Sequence, residues 1–199
     1  MRRRAALGAL AALLLAATQA ANAAAAHAGS LAFVAQVPRG AVRLVDVRAK
    51  AACEHASLPG ARCLPAASLF RPHGRPPGFH ALRWLLGTIG LAGSERVLVF
   101  GASARQAASV GALLFLAGQR DVMVLDHAPS IPPGAPPGAP RSLVSETIFT
   151  APMRDTLLVA APERAPRGAI VAGPPEARLV AFARGYQAGV HPRRLRLWP

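Results

Sequence analysis

Cysteine is scarce: Cys53 and Cys63 are the two in 199 residues, too few for a disulfide-dense scaffold or a zinc site built on several thiolates. Histidine does not fill that gap. Among His55, His73, His80 and His127, only Cys53 and His55 approach ligand spacing, and they stand too close in sequence for a good helical chelate. No metal and no other cofactor is therefore expected. Long apolar runs are missing as well, since the longest spans Ala5 to Ala17, 13 residues, against the roughly 20 that cross a bilayer. No internal repeat is visible. Acidic residues are few, nine against 23 basic ones, which leaves a formal charge of +14. Such a balance raises the question of nucleic acid, yet 22 of the cations are arginines scattered along a chain rich in Ala, Pro and Gly. That distribution points to biased coding rather than a binding stripe, and no specific nucleic-acid binding is expected. Only the tail from His191 to Trp198 concentrates the charge; it reads as a solvated or loosely docked end, with contact to a polyanion or a membrane as the rival.

What is present begins with a secretory pattern. Arg2, Arg3 and Arg4 precede the apolar run, and small and polar residues ending Ala21, Asn22, Ala23 follow it. Residues 1–23 are expected to be a cleaved signal peptide, so the mature chain is exported, periplasmic or secreted, with no stable membrane span. Cleavage there removes three arginines and no acid, lowering the formal charge from +14 to +11. The remaining length suits one domain, because such a core buries enough apolar surface without metal or several disulfides. In an oxidising compartment Cys53 and Cys63 have two readings, a disulfide or two small buried hydrophobes.

Along the chain, Leu31 to Val37 reads as a short helix stopped by Pro38, Arg39 and Gly40, and Val42 to Val47 as a buried strand. Helix formers fill Ala49 to Ala56, Pro59 and Gly60 make a turn, and Ala61 to Leu64 gives a second strand. A loop rich in Pro and Gly covers Arg71 to Gly78; Leu82, Leu85, Leu86 and Ile89 then repeat at helical spacing. Arg96 to Phe100 is a strand, Ser103 caps a helix carrying Val110, Leu113, Leu114 and Leu116 to Gly118, and Val122 to Leu125 is a further strand. Apolar strands alternating with helices predict an α/β fold with a parallel sheet and helices on both faces. Residues 128–140 hold six prolines and two glycines and read as a surface linker. Beyond it, Thr156 to Ala160 and Ala169 to Ala172 look like strands and Glu176 to Tyr186 like a helix. Residues 141–199 are read as an extension that completes or decorates the domain, since so short a piece hardly folds alone.

The run LVDVRAKAACEHASLPGARCLP, Leu44 to Pro65, resembles the opening signature of rhodanese domains. There an Asp-Val-Arg strand end leads through a helix to a Gly-His-Ile-Pro-Gly-Ala turn, here Ala56 to Ala61. Leu82 to Asp126 resembles the second half of that family: helix, strand, active loop, helix, strand. The resemblance makes residues 29–127 a rhodanese-like domain, with Asp46, Arg48, Pro59 and Gly60 as scaffold that marks the fold rather than the reaction. It also implies a six-residue loop headed by the cysteine that carries sulfane sulfur on a cradle of backbone N–H groups. The corresponding residues are Gly101, Ala102, Ser103, Ala104, Arg105 and Gln106, so glycine stands where the thiol is expected.

Glycine cannot accept sulfur, and Ser103, with no base assigned to it, is a weak nucleophile whose better role is the helix cap. Residues 101–106 are left as an anion-binding loop with Arg105 nearby, or as a plain connecting turn. The resemblance places Cys53 in the helix and Cys63 in the next strand, away from that loop. The expectation is an inactive module that binds a small anion or a partner protein, with no catalytic residue at the loop. The rivals are a sulfurtransferase using Cys53 or Cys63 and a basic protein holding polyanions through its tail.

Overall fold

A computed structural model describes residues 29–70, 75–142, 144, 147–159, 167–187 and 195–196. The expected signal peptide, His73 and most of the tail lie outside them. Five strands, β1 (Ser30–Val34), β2 (Arg43–Asp46), β3 (Arg62–Cys63), β4 (Arg96–Phe100) and β5 (Asp121–Leu125), form one sheet in the order β1-β5-β4-β2-β3. Every pairing is parallel. The helices are α1 (Lys50–His55), α2 (Phe79–Gly87), α3 (Ala104–Ala117) and α4 (Pro175–Gln187). The fold is α/β on a parallel sheet, as the alternation of elements predicts.

Strand order and handedness decide where the helices go. The step from β2 to β3 runs toward one edge, whereas those from β3 to β4 and β4 to β5 run toward the other. Right-handed crossovers therefore place α1 on the face opposite α2 and α3. The core agrees. In β4, Val97 and Val99 face a large cluster shared with Leu82 and Leu86 of α2, Leu113 of α3, and Leu179 and Phe182 of α4. Leu98 and Phe100 face a smaller cluster with Met123, Leu125 and Leu58, the last just beyond α1. A central strand buried on both faces explains why its sequence is apolar at successive positions rather than at alternate ones.

Three local expectations are corrected. The expected helix at Leu31 to Val37 is strand β1, which pairs with β5 from Ser30↔Asp121 to Val34↔Leu125. A six- or seven-residue helix gains little on its own, and an open sheet edge offered the segment a full ladder. Thr156 to Ala160 begins instead as a 3-10 turn, Asp155–Leu157. The tail is not loosely docked at Leu195, which is fully buried and bridges both Leu158 and Ile170. Its backbone N–H donates to Leu157 O at 2.8 Å and its carbonyl accepts from Val159 N at 3.0 Å.

Residues beyond 140 pack on the same core. Helix α4 lies against α3 and β1, with the Tyr186 ring tilted against that of Phe115, their centroids 4.7 Å apart. Arg154 donates through Nη1 to the carbonyls of Phe115 and Gln119 at the end of α3, and its guanidinium lies 4.0 Å from the centre of the Phe115 ring. Burial holds the pKa of that guanidinium below the usual arginine value.

Candidate functional site

The crossover pattern fixes where a site can form. From β2 the chain turns toward β3 and returns on the far side to β4, so the loops diverge beyond the carboxyl ends of β2 and β4. In open α/β sheets such a switch point opens a crevice. A cavity of about 500 Å3 lies at this end of the sheet, lined among others by Arg48, Lys50, Cys63, Trp84, Gln106 and Arg141.

The wall beneath it is set by Asp46. Its carboxylate ends β2 in full burial and accepts from the backbone N–H of Arg48 at 3.0 Å, from Arg48 Nε and Nη2, and from Ser57 Oγ at 2.7 Å. Arg48 Nη2 also donates to Ala56 O at 2.6 Å. This ion pair neutralises the buried Asp46 carboxylate and braces the turn between α1 and β3. Pro59 and Gly60 are exposed on the same turn, where Gly60 adopts φ +78° and Ala61 N donates to Leu58 O at 3.0 Å. All four scaffold residues thus fall from the end of β2 to the turn before β3.

The loop after β4 is folded in on itself. Gln106 Oε1 accepts from Ala102 N at 2.9 Å, and Gln106 N donates to Ser103 Oγ at 3.2 Å, the cap of α3. Gly101 is buried beneath. A Cβ there would stand 2.7 Å from Gln106 Oε1 and 3.0 Å from Val47 Cγ2. A side chain at 101 therefore requires the Gln106 arm to leave, and while the arm stays its amide oxygen takes a donor that an external anion would otherwise use. Ala104 is half-buried and Arg105 exposed at the start of α3.

Cys53 and Cys63 form a disulfide with their Cα atoms 5.9 Å apart, joining α1 to β3. Both are buried, and no free cysteine remains in the described residues. Over the sulfurs runs part of the proline-rich segment. Cys63 N donates to Ala139 O at 2.8 Å, Ala139 N to Ala61 O at 2.9 Å, and Gly138 N to Cys53 O at 2.8 Å. Residues 136–139 thus lie along the outer edge of β3 as a short parallel strap. With proline at 136, 137 and 140, Gly138 and Ala139 supply its two backbone donors. A Cβ on Gly138 would lie 2.5 Å from Cys53 Sγ and 2.8 Å from Cys63 Sγ.

The structure brings Gln106 and Cys63 onto one cavity and keeps Asp46, Pro59 and Gly60 off its lining. The resemblance set Cys63 apart from the loop, and Cys63 and the loop's Gln106 line the same cavity. Sequence reasoning missed Trp84, Lys50, Ser68, Arg141 and Ser142 on the same wall. An aromatic on a mostly apolar helix and two polar residues after a proline run carry no spacing signal. His127 lies elsewhere, its Nδ1 2.7 Å from Asp126 Oδ1 beyond β5.

No family model matches the chain, and no curated protein matches it. Among solved structures it is similar to EanB in complex with ergothioneine, at 18% identity and a TM-score of 0.47, over 63% of this chain and 35% of that one. EanB with ergothioneine linked to a cysteine persulfide gives a TM-score of 0.49 at 18% identity over 63% and 35%. YnjE gives 0.45 at 21% identity, over 61% of this chain and 32% of that one. The chain spans about a third of the length of these proteins.

Proposed function

We infer that this chain is an exported rhodanese-like module that does not transfer sulfur and that binds a small anion or a partner protein at the strand ends around its loop. One observation carries the reading: Gly101 heads the loop, and the amide oxygen of Gln106 stands 2.7 Å from where its side chain would begin. The persulfide route needs a thiol at a cradle of N–H donors. Here that place has no thiol, and a side chain could enter it only with the Gln106 arm swung away. Export is supported by the three-part segment at residues 1–23 and by a disulfide that suits an oxidising compartment.

One observation favours a second reading, sulfur transfer through Cys63, because that residue lines the cavity. Against it, Cys63 is 2% exposed and bonded to Cys53, so a dithiol would first have to reduce the pair.

The test is turnover of thiosulfate and cyanide to thiocyanate by protein lacking residues 1–23, with and without dithiothreitol, alongside Cys53→Ser and Cys63→Ser. No rate above the uncatalysed reaction is expected in any of them. A rate present in the parent and lost in one variant would establish the enzyme instead. Fractionation of cells making the full chain checks export, and retention in the cytoplasm would refute it.

A further inference from the structure

Trp84 is 54% exposed although its helix buries Leu82, Leu85 and Leu86 on the other side. Close by, Ile148 is 75% exposed, and the two line a shallow trough of about 260 Å3 together with His80, Arg83, Thr147 and Phe149. Trp84 also lines the 500 Å3 cavity at the strand ends, so it stands on the ridge between the two depressions. Single exposed apolar residues are ordinary; a tryptophan and an isoleucine facing one trough are the composition of a binding anchor.

The described charges around them are mostly positive. Among the described residues, Arg48, Lys50, Arg83, Arg141 and His80 line the two depressions, with Glu54 as the one carboxylate. Arg48 is committed to Asp46, and Lys50 lies 4.0 Å from Glu54. Arg83 spends Nε on Phe149 O, a neutral partner, and Arg141 has no carboxylate within ion-pair distance among the described residues. With Arg48 and Lys50 paired, Arg83 and Arg141 leave the described part of the rim cationic.

The geometry points to an acidic segment of another protein as the occupant. It would seat one aromatic or aliphatic side chain between Trp84 and Ile148 and set its carboxylates toward Arg83 and Arg141. This rests on the reading that the strand-end face receives a partner, and it names that partner's chemistry. A second copy of the chain fits poorly, because a two-fold contact lays the same patch on itself and brings arginine to arginine. A lipid surface calls for a broader apolar face than two side chains.

Short random peptides displayed on phage and selected on protein lacking residues 1–23 test this. Enriched peptides are expected to carry Asp or Glu around one large apolar residue. Their synthetic versions are expected to bind about tenfold more weakly to Trp84→Ser and to Ile148→Ser. Arg141→Glu is expected to weaken them similarly, and added salt to weaken the parent. Trp84 and Ile148 are exposed, so unchanged melting temperatures would show these variants folded. Peptides without acidic bias, or affinities indifferent to Trp84 and Ile148, overturn the proposal. So does self-association, or binding to phosphatidylserine vesicles, that Trp84→Ser abolishes. The thiocyanate assay is separate: turnover with the peptide result intact removes the non-catalytic reading alone, and silence with no qualifying peptide removes the docking proposal alone.

Discussion

At Gly138 one methyl group is enough to test the strap. Its Cβ would meet Cys53 Sγ at 2.5 Å, Cys63 Sγ at 2.8 Å and Cys53 O at 3.1 Å, and a disulfide held between a helix and a strand cannot swing aside. Gly138→Ala is expected to cost about 1–3 kcal/mol, the range of overpacking in a closed site. In a Cys53→Ala, Cys63→Ala background the sulfurs are gone and most of that cost should vanish. Urea unfolding of the four proteins measures the coupling, and additive effects would mean the strap does not rest on the disulfide. The same residues mark the limit of legibility. Asp46 and Arg48 were placed from sequence because a strand-end pair two residues apart makes its bonds locally. Gln106 was placed in its loop but its fold back onto Ala102 was not, and neither was Gly138, because a side chain's turn inward and a strap laid on the Cys53–Cys63 bridge leave no mark in the sequence.

Among the connections between elements, the turn from α2 to β4 is organised by one carboxylate. Glu95 accepts from Ala92 N and Gly93 N, both at 2.9 Å, while Gln119 Nε2 donates to Glu95 O at 2.7 Å. Two further segments hang on the turn, with Arg120 N donating to Gly93 O and Thr150 N to Ala92 O. Burial raises the pKa of this carboxyl, but the donated hydrogen bonds outweigh burial and hold it below its ordinary value. A depressed folded pKa gives stability that is present above the unfolded value, near about 4.3, and is lost as pH falls through the folded one. Glu95→Gln is therefore expected to destabilise at neutral pH, with the gap to the parent closing below about pH 4. A gap constant from pH 7 to pH 3 would show that the charge of the carboxylate is not what the turn uses. Elements were legible here where packing and local preference agreed. β4 and α3 announced themselves by apolar runs and a Ser cap, whereas β1 read as a helix because its pairing partner, β5, lies about 90 residues away.

For the whole molecule, the sequence conveys the parallel α/β plan because alternating apolar strands and helices leave few other ways to bury both faces. What it does not convey is closure: how residues 136–139 cover the β3 edge, and how Leu195 returns to bridge Leu158 and Ile170. Prolines signal only what a segment cannot form, and a short basic tail gives no sign that Leu195 is buried. Closure makes the disulfide matter beyond its own loop, since the strap and the cavity wall at Pro140 and Arg141 follow directly from residues lying on the sulfurs. The bridge spans a sequence separation of 10, and cross-linking so short a loop stabilises by about 2–3 kcal/mol in the chain-entropy account. For a chain of this size that corresponds to a fall in melting temperature of about 5–10 °C on reduction. Calorimetry with and without dithiothreitol measures it, and the Cys53→Ala, Cys63→Ala protein should melt with the reduced parent and ignore the reductant. A parent unmoved by reductant, with its thiols titrating as free, would mean that the staple is not made in solution and that the strap is held by its backbone bonds alone.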